Sequence, residues 1–538
     1  MKRILSTLLA VVLLLGCLSV ASMAEEVPTL TIGIPSYALV SDYYDNDFTR
    51  YMEEKVGCKI EFVFYTSEYK NQLALQIAAK EELPDILFNF YGLGNLRNQY
   101  GEDGFFLDMK PLLEEYCETF WYDYEFLTET DKKNIFAYGA DPANGCLYAI
   151  PGIEETTLMV TEHPAIINKA WLDAVGEEMP RTVEDLYRVL QKFATEDPNG
   201  NGLADEIPVL GSTSGFMQDI IQYLMNAFVH VDDNFFWNAT DGELWAPYVT
   251  DEYREGLIYL NQLYSEGLIS PLVFTMNKNE SSSTIKTACS PLDGVPTAGI
   301  SGNCSALDLN NGAATAQEYV AFPPLLDATG KGGYTPMGTN TYQYSAFLTS
   351  SCKDIELAMK FIDELYSWDT YLIGNYGAEG VHWERIDGMN NRGSKAQVHV
   401  LDTTVSNSQN NITWHQYATG MKQLLTAPDG YICSTYTDDG SWNAWLSNLQ
   451  KDIFNATYEA RQLEEPIFTI IRTAEEEEAL KDTDYGEYYK EARALFITGA
   501  LDPNSDSDWQ NYLDEMEARG LYVAQEINQT AYDRMMGK

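Results

Sequence analysis

The chain reads as an α/β protein of two lobes, the first built on a doubly wound sheet. Three observations predict this fold class. Strand-like and helix-like patterns alternate through the opening segment, and the 538 residues exceed what one core serves. A composition of 45% hydrophobic and 13% aromatic residues is that of a packed globular protein. No internal repeat or long low-complexity stretch competes with that reading.

The elements follow in order. TLTIGI alternates, setting Leu30, Ile32 and Ile34 on one side of a strand, and IEFVFY and DILF are the next two strands. Between them, NDFTRYMEEKVG and SEYKNQLALQIAAKEE carry apolar residues at helical spacing, with Ser67 as the cap of the second helix. Ligands of such sheets lie beyond the carboxyl ends of the strands, which singles out Pro35, Ser36 and Tyr37 after the first and Asn89 and Tyr91 after the third. A second lobe starts after YAIP at 148–151. There Thr182 and Asp185 form a capping box ahead of a helix whose Val183, Leu186, Leu190 and Phe193 share one face. Near residue 345, YSAFLTSSCKDIELAMKFIDELYS pairs a strand with a helix lined by Ile355, Ala358, Met359, Ile362 and Tyr366. The expected boundaries are residues 27–155 and 341–395 for the first lobe, with 156–340 and 396–538 for the second. A C-terminal helical extension belongs to the second, where Trp509, Tyr512, Leu513 and Met516 form a core stripe closed by Gly520.

The N-terminus has the layout of a secretory leader over residues 1–24: Lys2 and Arg3, an apolar core, then small residues ending at Ala24. Cleavage after Ala24 and lipid attachment at Cys17 within LLGC are its two processing routes, so the protein is expected outside the cell, secreted or tethered to the outer membrane face. With 81 acidic against 34 basic residues the formal net charge is −47, which makes nucleic acid an unsuitable partner. Of eight cysteines one lies in the leader, and the seven left after a cut at Ala24 are an odd, scattered set that is no disulfide framework. Cys289 with Cys304, or Cys117 with Cys146, could pair, and free buried thiols are the alternative.

The run DPNGNGLADEIP sets oxygen-bearing side chains at alternate positions through Asp197, Asn199, Asn201 and Asp205, with Gly202 at the sharp turn. A hard cation needs about six to eight oxygens, so every second side chain must aim inward and a carbonyl, here of Leu203, must join them. Pro208 stands where an EF-hand has its bidentate Glu, so Glu206 or a distant carboxylate would close the shell. The loop reads as a structural calcium clip, set against a polar turn that binds nothing. The similar-looking DPNSDSD at 502–508 reads as a capped turn.

These pieces, with NKAWLDAVGEEMPRTVEDL, NYGAEGVHW and the ending FITGALDPNSDSDWQNYLDEMEARGLYVAQEINQTAYDR, resemble the large extracellular solute-binding proteins of bacterial carbohydrate ABC importers. That family includes the alginate-oligosaccharide binders and LipO-like lipoproteins. The resemblance implies a periplasmic-binding-protein-like fold, with two α/β lobes joined by crossing strands, ligand in the cleft between them and closure about a hinge. It implies calcium held by the side chains of Asp197, Asn199, Asn201, Asp205 and Glu206 and by the Leu203 carbonyl. The implied partners are a carbohydrate and the permease subunits of the importer, with the binding protein itself a monomer.

A sugar offers hydroxyls and apolar C–H faces, so its cleft needs aromatic platforms and aimed polar groups. Tyr37, Asn89, Tyr91, Trp383, Trp414 and Trp442 are the candidates; Trp237, Trp245, His382, His415 and Asp439 are secondary ones. No H-E-x-x-H, G-x-S-x-G or G-x-x-x-x-G-K-[ST] run occurs, which argues for a binding protein rather than an enzyme. A peptide or other small solute is the alternative ligand, and a glycoside hydrolase, which needs only two carboxylates, the alternative activity.

Overall fold

The computed structural model describes residues 27–125, 127, 129–154, 164–214, 218–232, 236–302, 309–334, 341–389, 395–402, 404–414 and 470–538, with eight positions between 445 and 456. Its strands are β1 (Thr29–Pro35), β2 (Lys59–Tyr65), β3 (Ile86–Leu87), β4 (Ile150–Glu154), β5 (Ala165–Asn168), β6 (Ile207–Leu210), β7 (Asn238–Thr240), β8 (Glu243–Trp245), β9 (Ala298–Gly302), β10 (Tyr319–Phe322), β11 (Thr341–Leu348), β12 (Trp383–Met389) and β13 (Lys395–Val400).

Two mixed sheets organise two lobes. The first has the order β2-β1-β3-β11-β4, with β2 and β3 parallel to β1. The second has the order β10-β5-β9-β6, in which β6 and β9 are parallel. Neither is the all-parallel sheet of simple double winding, because β11 runs antiparallel to β3 and to β4, and β5 antiparallel to β9 and β10.

The alternation in TLTIGI does what the pattern requires: Leu30, Ile32 and Ile34 are buried in a core shared with helix Asp47–Val56 and helix Ile355–Leu365. Asn46 caps the first of these helices, and Gly57, in the left-handed region, ends it. Helix Tyr69–Ala79 follows β2, but its cap is Glu68 without a side-chain bond rather than Ser67. The Thr182–Asp185 capping box is present, and Val183, Leu186, Leu190 and Phe193 are buried below it. Ser505 caps helix Asp506–Ala518, so DPNSDSD is the capped turn its sequence suggests. With helices Tyr485–Thr498 and Leu521–Met536, that helix completes the second core.

The boundary at 395 moves. Asn410 N–H donates to Leu39 O at 3.0 Å, Ser41 and Asp47 N–H donate to Asn410 O and Asn411 O at 2.9 Å, and Asn46 Nδ2 donates to Thr413 O at 3.0 Å. The chain up to Trp414 therefore belongs to the first lobe, not the second. Cys117 and Cys146 are free thiols and do not pair; Cys304, the expected partner of Cys289, lies outside the described residues. Among the described residues no helix is long and apolar enough to cross a membrane.

Candidate functional site

Three loops leave the first sheet at one edge because β1, β2 and β3 are parallel. Ser36 N–H, just past β1, donates to Tyr65 O at 2.9 Å, and Phe88 N–H, past β3, donates to Gly33 O at 2.8 Å. Phe90 N–H donates at 2.7 Å to Ser345 O of the crossing strand β11. Tyr37, Asn89 and Tyr91 are thereby brought to one edge, each half-buried. Tyr37 N–H donates to Tyr43 Oη at 3.3 Å, and Tyr69 Oη donates to Tyr91 O at 2.9 Å. Asn89 turns the loop with φ +68°, a left-handed conformation that asparagine tolerates better than bulkier residues. Burial pushes the Tyr43 and Tyr65 phenols up to about 12, so both stay neutral.

Trp414 and Trp383 do not join this edge. Trp414 is 0% exposed, with Phe48 and Phe62 edge-on at 5.1 and 5.5 Å and its indole N–H donating to Thr49 Oγ1 at 2.7 Å. Trp383 is 1% exposed, packs with Leu372 and Val398, and donates to Gly377 O at 2.8 Å. Rings covered on both faces cannot stack on a sugar, so both leave the ligand set and become core residues. Trp442, His415 and Asp439 lie outside the described residues. Trp237 is buried, Trp245 donates to Thr240 Oγ1 at 3.1 Å, and His382 Nδ1 accepts from Ala378 N–H at 2.9 Å within its own turn.

The second lobe offers an edge of the same kind, which the candidate residues omit. Beyond β6, Ser212 N–H donates to Gln218 O at 3.0 Å, Ser214 N–H to Ser212 Oγ at 3.1 Å, and Gln218 Nε2 to Ser282 Oγ at 3.1 Å. Gly302 ends β9 so close to this turn that a Cβ there would lie 2.4 Å from Gln218 O. The signal was the GSTSG run after IPVL, a polar loop at a strand's carboxyl end.

The oxygen-rich loop at residues 197–206 lies apart from both edges, between helix Val183–Thr195 and β6. Asp197, Gly200 and Gly202 take positive φ, curling the chain around the Asp197 carboxylate. That carboxylate accepts from Asn201 N–H at 3.1 Å and Gly202 N–H at 3.0 Å. Asp205 accepts from the amide groups of Asn199 at 3.1 Å and Asn201 at 3.0 Å. Leu203 is exposed, and Asn199 also reaches Pro296 O at 3.4 Å, pinning the loop to the segment before β9. Among the described residues no three acidic, His or Cys side chains form a metal-holding group. The donor set nonetheless fits a hard cation, since it is all oxygen and Glu206 Oε1 is buried there with no hydrogen-bond partner. Burial, then the charges of Asp205 and Asp197, raise the Glu206 carboxyl above its ordinary range.

A family model described as bacterial extracellular solute-binding protein matches residues 37–369. The fructooligosaccharide ABC transporter substrate-binding protein FusA of Streptococcus pneumoniae is 26% identical over 491 residues, 90% of this chain and 86% of that protein. Lipoprotein LipO of Bacillus subtilis is 23% identical over 408 residues, 72% of this chain and 74% of LipO. An "HMO binding ABC-transporter associated" solute-binding protein from Bifidobacterium longum infantis superposes with a TM-score of 0.74 at 19% identity, covering 95% of this chain and 99% of that one. A FusA structure described as an EF-hand mutant in complex with fructo-nystose matches with a TM-score of 0.67 at 23% identity, again over 95% and 99% of the two chains. With that family model matched over more than half of its residues, the chain belongs to the bacterial extracellular solute-binding proteins.

Proposed function

We propose that this protein captures a sugar or oligosaccharide between its lobes and delivers it, unaltered, to the permease of an ABC importer. The observation that carries the reading is the pair of strand edges, one furnished with the half-buried Tyr37, Asn89 and Tyr91 and the other presenting the exposed Ser214 above the buried contact of Ser212 with Gln218. Phenol rings, amides and hydroxyls suit a ligand made of hydroxyl groups and C–H faces. The sugar-binding relatives support the same ligand class. Closure follows from differential affinity: a ligand bonded to both edges favours the closed lobes only by the contacts it gains there. Extracellular placement goes with the family and with the leader at residues 1–24. No catalytic step is assigned.

A thermal-shift screen of the mature protein against oligosaccharides and peptides tests this, because a ligand that binds only the folded state raises Tm by mass action. We expect oligosaccharides to raise it and to be recovered intact; a response to peptides alone, or turnover of the sugar, would overturn the reading. Tyr37→Ala and Tyr91→Ala should each weaken sugar binding by about tenfold, the scale of one lost aromatic contact, with unliganded Tm little changed. Wild-type affinity in both variants would mean that the ligand sits elsewhere.

Calcium belongs to the proposal as a structural clip held by Asp197, Asn199, Asn201, Asp205, Glu206 and the Leu203 carbonyl. When bound it would neutralise crowded carboxylates and tie the end of helix Val183–Thr195 to β6. At calcium a hundredfold above its Kd the clip contributes about 2.7 kcal/mol. Chelation should therefore lower Tm, and Asp197→Ala should abolish the response to added calcium. An identical melting curve with and without chelator would remove the metal.

A further inference from the structure

The first lobe buries a group of acids that the binding role does not use. Helix Glu118–Tyr124 starts at Cys117, and its first turn meets a carboxylate from helix Ile355–Leu365. Thr119 N–H and Oγ1 donate to Asp363 at 3.0 and 2.9 Å, and Phe120 N–H donates at 3.1 Å. Asp123 lies one turn further, on the same helix face as Thr119. It is 9% exposed, and its Oδ2 is buried with no hydrogen-bond partner among the described residues.

Among the described residues nothing around Asp123 supplies a cation. Cys117 is a buried thiol whose titration is pushed up by burial and then by Asp363. The Tyr366 phenol, also raised by burial, donates to Pro151 O of β4 at 2.6 Å. Helix Glu129–Ala137 packs alongside through Phe136, but its Lys132 lies over the Tyr124 ring and pairs with Glu129 at 3.2 Å. A buried carboxyl beside a second acid, with no donor of its own, is most stable carrying a proton.

We propose that Asp123 and Asp363 form a proton-holding carboxyl pair, and that loss of its proton loosens the contact between helix Glu118–Tyr124 and helix Ile355–Leu365, beside the link from Tyr366 to β4. The direction of the pH dependence follows from burial first and the Asp363 charge second, which together push Asp123 up to about 7. An unfolded aspartate titrates near 4. Between those values the folded lobe binds the extra proton, so stability is greatest at the acidic end, declines as pH rises toward the folded value, and then levels off.

Urea unfolding of the mature protein and of Asp123→Asn, followed between about pH 5 and pH 8, tests the pair. The amide is neutral throughout, so the wild type should lose stability with rising pH relative to the variant. At about pH 8 the variant's folding equilibrium constant should be the larger, by about tenfold. Parallel curves, or a variant less stable than wild type at about pH 8, would overturn the proposal. If Asp123→Asn does not fold, carbon-13 titration of the wild-type Asp123 carboxyl decides: a midpoint above about 5.5 supports the pair and a lower one overturns it.

Discussion

Trp414→Ala should destabilise the first lobe by about 3–5 kcal/mol, the range for removing a large aromatic from a packed core. The ring is wholly buried among Tyr43, Phe48, Phe62, Phe88 and Phe361, and its N–H bonds Thr49. It anchors the segment whose Asn410, Asn411, Ile412 and Thr413 bond to residues 39–48, so its loss opens a cavity directly beside that contact. Urea unfolding reads the stability, and sugar affinity of the fraction that stays folded separates the two roles. A variant as stable as wild type that has lost sugar binding would return Trp414 to the ligand set. Trp414→Phe, which keeps most of the volume, should cost less than half as much.

Arg493→Met should destabilise the second lobe by about 3–5 kcal/mol, because it leaves a buried carboxylate without its cation. Arg493 and Asp219 pair at 3.3 Å with side chains 6% and 5% exposed, joining helix Tyr485–Thr498 to the cap of helix Ile220–Met225. Asp219 Oδ1 also accepts from Gln222 N–H at 2.9 Å, a bond an asparagine can keep. The double variant Arg493→Met with Asp219→Asn should recover most of the loss, since no buried charge remains. Equal stability of the single and double variants would show that the pair does not hold the extension. This contact lies next to the Ser212–Gln218 turn, so sugar affinity should follow stability in the same series.

Which parts could be read in advance depends on the range of the interaction. The alternation of Leu30, Ile32 and Ile34, the box of Thr182 with Asp185 and the Ser505 cap were legible because each is settled within one strand or one helical turn. The position of Tyr37, Asn89 and Tyr91 at one sheet edge was legible for a related reason, since a parallel sheet sends its loops to one edge whatever the loops contain. Ser67 misled because it stands one residue from the true cap. Trp383 and Trp414 misled because a tryptophan in a loop-like run has the same composition whether its ring lies inside or out.

The amino-acid sequence by itself determined the two α/β lobes, the capped helices, the oxygen-rich loop at residues 197–206 and the edge of the first sheet where Tyr37 and Tyr91 emerge. Tertiary structure alone decided that residues 404–414 return to the first lobe, that β11 enters antiparallel, that Asp363 meets the first turn of helix Glu118–Tyr124 and Arg493 meets Asp219, and that two tryptophans are core. The physical reason is separation along the chain. Periodicity and caps act between residues a few positions apart, whereas these outcomes, the packing of Trp383 apart, join segments more than fifty residues apart, where burial and pairing depend on how whole elements pack.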